Sequence, residues 1–181
     1  MAQNGVDHYK NLPTPKDTIN VTTIVSQQLQ GLGFRYYWAT QGLCLDDLNY
    51  RTTAGSRSIF ETMEHIYSLC FTVASTFEGL AVQRPLKPLE MDGAKLRLKT
   101  LTLIQRAEEY ISSNNAVTLE DRRIVFKTSK GKRSYPFLYL INGPLSDALT
   151  HVGQVLTLRR ANGNPQEAGV NVFLGQKTEV N

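Results

Sequence analysis

Residues 142–165, NGPLSDALTHVGQVLTLRRANGNP, decide the fold because they contain the clearest helical pattern of the chain. Four apolar residues recur there at steps of four and three, the spacing of one helix face. They are Leu145, Leu149, Val152 and Leu156. Asn142 is a candidate N-cap and Pro144 suits the first turn, while Gly163 and Pro165 are typical of a helix end. The segment therefore predicts the last helix of the fold.

Three stretches further upstream show the same periodicity. They cover residues 18–43, 58–80 and 92–113. Ser58 begins a capping-box pattern immediately before the second stretch, and Asp92 is a candidate N-cap for the third. The chain is therefore expected to contain four helices of several turns each.

The long connection before the last helix has a different pattern. Residues 122–136 alternate as a short β-hairpin does, with a turn near 129–132. Neither a GxGxxG motif nor a repeated strand–helix alternation occurs, which disfavours a Rossmann fold. The sequence predicts an all-α four-helix bundle with a small inserted hairpin, in one domain over residues 1–181. A polar arm at 1–16 and a tail at 162–181 flank it.

Composition sets broad limits on the class of protein. The chain has 181 residues, of which 41% are hydrophobic and 20% charged, as in ordinary globular domains. No apolar run approaches the ~20 residues of a membrane span, and the start lacks a signal-peptide core. We therefore expect a cytoplasmic protein with no membrane partner. Cys44 and Cys70 are too few for a disulfide framework, and Cys70 lies in an apolar run typical of a core.

Basic residues are concentrated in the second half of the chain. Residues 79–160 carry 14 basic and 7 acidic side chains, whereas the whole chain has a net charge of +4. Six of these bases fall in or beside the predicted hairpin. They are Arg122, Arg123, Lys127, Lys130, Lys132 and Arg133. Such a cluster can attract nucleic acid or an acidic partner, or it can be an ordinary solvated hairpin.

Histidines are the candidates for chemistry. His8 lies in the polar arm, whereas His65 and His151 lie on helices that are neighbours in a bundle. Asp147 precedes His151 by four residues, so both share one helix face. His65 and His151 flank the apolar stripes of their helices, and such positions can point into one cleft. Two imidazoles and a carboxylate suit zinc, nickel or iron with an open position.

Alternative explanations exist for each of these residues. Asp147 also suits the positive start of its helix, and His151 can form a structural hydrogen bond. Gln154 lies on the same flank as His151 and can hydrogen-bond the metal ligand, or it can be a partly exposed polar residue. The aromatic residues at 36–38 can line the cleft or belong to the core.

Residues 147–165 resemble the last-helix signature of the DinB/YfiT-like family, in which an HxxxHxGQ motif precedes a leucine–arginine stretch and G-x-P. Residues 57–66 are similar to the second helix of that family. The resemblance implies an up-down-down-up four-helix bundle that holds a divalent metal through one histidine of helix two and two of helix four. His65 and His151 fall on ligand positions, and Asp147 replaces the first histidine of the HxxxH pair.

The resemblance also carries expectations about activity. Zinc or nickel is the expected metal, with iron as a further option, and it would activate water or a low-molecular-weight thiol. The protein would then be a metal-dependent transferase or hydrolase acting on a small-molecule substrate, and a homodimer. No helix typical of DNA readers is evident, so nucleic acid is not the expected substrate. The alternative is a non-enzymatic binding protein that uses the basic region 122–133.

Overall fold

A computed structural model describes residues 6–88, 90–113 and 119–179 of the chain, and the fold is mostly helical, as predicted. Four long helices dominate it and one short helix follows the first. They are α1 (Val21–Thr40), α2 (Leu45–Asn49), α3 (Ile59–Phe77), α4 (Gly93–Ser113) and α6 (Ser146–Ala161), and a single helical turn, α5 (Leu138–Leu140), comes shortly before α6. Both α1 and α3 pack against α4 and α6, and the apolar faces of these four helices enclose the core.

Side-chain caps explain where the long helices begin. Asn20 and Thr23 form a capping box that starts α1, slightly later than the periodicity predicts. The predicted box of Ser58 and Glu61 is present at the start of α3. Asp92 accepts a hydrogen bond from the backbone N–H three residues later, which confirms it as a cap. Each cap satisfies backbone donors that have no partner inside the helix.

Aromatic residues of α1 belong to the core. Tyr36, Tyr37 and Trp38 are all buried, and the Trp38 indole Nε1 donates to the backbone carbonyl of Lys10. Cys70 is buried as predicted, whereas Cys44 is exposed. The core interpretation of residues 36–38 is therefore confirmed.

The predicted hairpin is present and carries an additional strand. Strands β2 (Arg123–Thr128) and β3 (Gly131–Pro136) pair antiparallel, and β1 (Val82–Gln83) pairs parallel with β2. Ile124 is buried beneath the hairpin and joins the helical core. The sequence did not predict β1, since two residues carry no recognisable alternation.

The last helix begins earlier than the sequence predicts. Backbone torsions stay helical from α5 (Leu138–Leu140) through a π-helical turn (Ile141–Leu145) into α6. The prediction of an N-cap at Asn142 and a first turn at Pro144 was wrong, because both lie inside the π turn. The wider π turn contains the proline within a continuous helical segment.

Arg159 joins the ends of two helices. Its side chain is buried, and its guanidinium Nη1 donates to the carbonyls of Trp38, Ala39 and Gln41 at the end of α1. This cation therefore compensates the partial negative charge of the carbonyls at the C-terminal end of α1.

Both flanks of the helical core contain short structural elements. The predicted polar arm forms a 3-10 turn (Asp7–Lys10) in which Tyr9 is fully buried, so part of it belongs to the core. The tail forms β4 (Val170–Asn171) and β5 (Gln176–Lys177). Its apolar stretch packs only in part, since Phe173 is 91% exposed. Within the described ranges, no helix combines the length and the apolar character needed to cross a bilayer.

Candidate metal centre

The packing of α3 against α6 creates the candidate site. His65 lies in the second turn of α3, and Asp147 and His151 lie one turn apart on α6. Because residues four apart on a helix lie on the same face, both α6 side chains reach toward α3 together. The structure therefore brings together the three residues that the sequence proposed as ligands.

Asp147 lies between the two histidines. Its Oδ2 is 3.4 Å from His65 Nε2, and its Oδ1 is 3.3 Å from His151 Nε2. The two imidazole rings are perpendicular and their centroids are 4.5 Å apart. In the part of the chain that the structure describes, this is the single group of three His, Cys, Asp or Glu side chains close enough to hold one ion.

These separations suit a tetrahedral ion. Ligand atoms with zinc bonds of 2.0–2.2 Å are expected to lie about 3.4 Å apart at the corners of a tetrahedron. The two His–Asp separations have this length but involve different oxygens of Asp147. With one ligand atom taken from each residue, the three atoms lie within 4.8 Å of one another, so the donor set can hold a metal ion once the side chains turn toward one point.

Gln154 fixes the orientation of one imidazole. Its Oε1 lies 2.7 Å from Nδ1 of His151, one turn along α6. A carbonyl oxygen is only an acceptor, so Nδ1 carries the proton and donates it. In the neutral imidazole, Nε2 then has a free lone pair, which points toward Asp147. This is the arrangement that second-layer partners of metal-binding histidines commonly provide.

Burial and charge favour the neutral form of the other imidazole. Burial lowers the pKa of His65 from its ordinary value, and the charges of Arg57 and His151 lower it further, against the opposing effect of Asp147. A neutral imidazole is the form that ligates a metal. The site is also accessible, because the side chains of His65 and Asp147 are 30% and 46% exposed.

A cavity of about 420 Å³ opens beside the carboxylate. The π turn supplies Asn142 and Pro144 to its wall, and Asp147 and Thr150 line it from α6. Its volume suits a small molecule next to the candidate ligands. The sequence did not predict this cavity, because the cavity arises from a local change in helix geometry that residue periodicity does not reveal.

The other candidate groups lie elsewhere. His8 contacts Glu108 on α4, with 3.9 Å between His8 Nε2 and Glu108 Oε2. The basic region divides into two parts, since Arg122 donates to the Tyr110 hydroxyl whereas Lys130 and Lys132 are exposed. Neither group adds a side chain to the site on α3 and α6.

No family model, curated protein or solved structure matches the chain.

Proposed function

We propose that the chain is a divalent-metal-dependent enzyme on a four-helix bundle of the DinB-like type, with His65, Asp147 and His151 as ligands. One observation carries the proposal. With its Nδ1 proton donated to Gln154, His151 faces the Asp147 carboxylate with Nε2 at 3.3 Å. Two acceptors at that distance require a proton or a cation between them.

The accessibility of the site and the adjacent cavity favour a catalytic metal ion over a structural one. Three protein ligands leave a coordination position free, and the exposed side of Asp147 faces a cavity large enough for a substrate. A bound zinc or nickel ion would lower the pKa of water or of a low-molecular-weight thiol and so create a nucleophile. Transfer or hydrolysis on a small electrophilic substrate is the reaction that this arrangement supports.

The residues themselves have distinct tasks in this proposal. His65 and His151 supply neutral nitrogen ligands, and Asp147 supplies the negative charge that compensates part of the cation. Gln154 holds His151 in one tautomer. Leu69 and Pro144 provide apolar wall area in the cavity, which would orient the substrate.

Metal titration of the full-length, untagged chain tests the proposal. We expect about one zinc or nickel ion per chain, and at least about 100-fold weaker binding after His65→Gln or His151→Gln. His8→Gln is the matched control, since it removes the third imidazole of the chain and leaves the cluster intact. Equal affinities in all four proteins would contradict the metal site.

Activity is tested separately from binding. The metal-loaded protein is mixed with a small thiol and an electrophilic aromatic substrate, and the loss of free thiol is followed. We expect turnover that depends on added metal and disappears in His151→Gln. Metal binding without turnover of any thiol or ester substrate would support the metal site but contradict the proposed reaction.

One observation supports the alternative of a binding protein. Lys127 and Lys132 face each other across the hairpin, and like charges directly opposite are unfavourable without a counter-charge. A nucleic acid or acidic partner would supply it. Affinity for a DNA or RNA oligomer that falls steeply with salt and is lost on Lys127→Gln with Lys132→Gln would favour this function.

A further inference from the structure

A second cavity, of about 500 Å³, lies between the hairpin and the segment that follows β1. Three basic side chains and two aromatic rings surround it, and none of the described residues that line it is acidic. They are Arg84, Lys130, Arg133, Phe126 and Tyr135. This cavity shares no residue with the one beside Asp147.

Strand alternation places these groups on one face of the hairpin. Phe126 pairs with Arg133, and buried Ile124 pairs with Tyr135. Since alternate residues of a strand share a face, the four side chains point to the side on which Ile124 meets the helices. Phe126 and Arg133 lie closer to the turn than Ile124, so the cavity opens where the hairpin extends past the core.

Arg84 is fixed at the base of the cavity by neutral partners. Its guanidinium nitrogens donate to Ser68 Oγ at 2.7 Å and Thr72 Oγ1 at 2.8 Å on α3, and it lies 5.4 Å from the centre of the Phe126 ring. Its backbone N–H also donates to the carbonyl of Lys127 on β2. Among the described residues, the contacts that hold this charge in place are therefore all with neutral groups.

Neighbouring bases strengthen the positive field. Over the part of the chain that the structure describes, no carboxylate lies within ion-pair distance of Arg84, Lys130 or Arg133. Arg84 is only partly exposed, and a partly desolvated cation without an anionic partner is costly. A bound anion would remove that cost and would accept the remaining guanidinium hydrogen bonds.

The aromatic pair provides a second kind of contact. The rings of Phe126 and Tyr135 have centroids 6.1 Å apart and planes at 64°, so they form a corner. A flat ring that stacks on one of them meets the edge of the other, which is the favourable geometry for aromatic groups. Stacking of this kind contributes about 1–3 kcal/mol per nucleobase in proteins that bind single strands.

We propose that this cavity binds a small anion that carries a flat ring, with mononucleotides as the ligand class. The guanidinium of Arg84 and the side chain of Arg133 take the phosphate, and the corner formed by Phe126 and Tyr135 takes the base. The volume of about 500 Å³ is within the range of small-molecule sites. The proposal is independent of the metal centre.

Calorimetric titration of the full chain with adenosine 5′-monophosphate tests it, with adenosine and inorganic phosphate as partial ligands. We expect the nucleotide to bind at least about 10-fold more tightly than either part, because each part makes only one of the two contacts. Adenosine binding as tightly as the nucleotide would refute the anion contact. Inorganic phosphate binding as tightly would refute the aromatic one.

Two arginines of the same hairpin give a matched pair of variants. Arg133→Gln removes a charge from the cavity, and Arg123→Gln removes one from the opposite face. We expect a loss of about 10-fold or more in nucleotide affinity for the first and less than about 2-fold for the second. Equal losses would show that the general positive charge of the hairpin attracts the nucleotide, and they would overturn the proposal of a defined site.

A third variant tests the stacking contact separately from the charge. Phe126→Leu retains apolar bulk, so the fold is preserved, and it removes the stacking surface. We expect weaker nucleotide binding with unchanged phosphate binding. No nucleotide binding by the unchanged protein at about 5 mM, where a site of Kd near 1 mM is mostly filled, also overturns the proposal.

Discussion

The imidazole rings of His65 and His151 meet edge to face, with centroids 4.5 Å apart and planes at 89°. They reach this contact from different helices, and Asp147 lies within 3.4 Å of one nitrogen of each ring. Edge-to-face contact is a favourable aromatic geometry in itself, so the ring angle alone does not distinguish packing from coordination. The carboxylate that lies near the Nε2 atoms of both rings is the feature that favours coordination.

Changing Asp147 tests its place in the donor set. We expect Asp147→Ala to weaken zinc binding by at least about 10-fold, because one ligand and its negative charge are lost. Asp147→His should bind zinc at least as tightly as the unchanged protein, since imidazole is a preferred zinc ligand. Competition with a coloured chelator measures both. Unchanged affinity in Asp147→Ala would exclude this carboxylate as a ligand.

Gln154 should affect metal affinity without touching the metal. Gln154→Leu removes the acceptor for His151 Nδ1, and we expect about 10-fold weaker zinc binding. Gln154→Glu retains an acceptor at the same place and should restore or exceed the original affinity. Zinc titration of the three proteins is the measurement. The proposed role fails if the leucine variant binds as the unchanged protein does.

Asp47 makes the fold sensitive to acid. Burial alone would raise the pKa of Asp47, but hydrogen bonds from the Cys44 backbone and from Asn162 and Asn164 outweigh it and lower the pKa to about 2. Because the folded-state pKa is depressed, this stabilisation is present above about pH 4 and is lost as the pH falls toward 2.

The expected size of the effect follows from the shift. The difference from the ordinary value of 3.8 corresponds to about 2 kcal/mol at neutral pH. Urea unfolding at pH 7 and pH 3 should show about half of this loss, since the carboxylate of the folded protein is still mostly ionised at pH 3. Asp47→Asn should be less stable at pH 7 and should lose less stability at pH 3. A pH dependence that is identical in both proteins would contradict this role.

Two adjacent arginines should differ sharply when each becomes lysine. Arg159→Lys cannot reproduce the contacts of one guanidinium with three carbonyls and Asn164, and we expect a loss of about 2–4 kcal/mol. Arg160→Lys changes an exposed residue and should stay within about 0.5 kcal/mol. Denaturant unfolding compares them, and similar losses in both would disprove the bridging role.

Two glycines of the helices should respond in opposite directions to alanine. A Cβ at Gly33 would lie 2.2 Å from Cε1 of Tyr9, so Gly33→Ala should cost about 1–3 kcal/mol by displacing the buried ring. A Cβ at Gly153 would have open space, and Gly153→Ala should stabilise α6 by up to about 1 kcal/mol. Thermal unfolding measures both. A neutral Gly33→Ala would show that the arm moves freely.

The long helices were predictable because their signals are local and repeated. Each has an apolar stripe over several turns, and α3 and α4 begin at caps that the sequence indicates. Elements of five residues or fewer were missed, among them α2 and β1, since so few residues show no period. The burial of Tyr9 was also missed, because it depends on Gly33, a distant residue of α1.

The residues of the candidate site could be predicted from the sequence, but the distances between them and the shapes of the cavities could not. The flank positions of His65 and His151 follow from helix periodicity alone, and so does the nearness of Asp147 to His151. Their separations depend on how α3 and α6 pack, which one sequence does not specify. The cavity lined by basic and aromatic side chains forms because β1 pairs with β2, which brings Arg84 to the hairpin. The charge count of the sequence indicated that this region is basic, but it did not predict the cavity.

The π turn at Ile141–Leu145 absorbs one extra residue within a continuous helical segment. Because a π turn has more residues per turn than an α-helix, its five residues rotate the chain about as far as four α-helical residues do. Asp147 and His151 therefore keep the face that a plain α-helix, shorter by one residue, would give them. A single-residue deletion in the turn should consequently leave the cluster facing α3, and its main effect should fall on the cavity wall that Asn142 and Pro144 form.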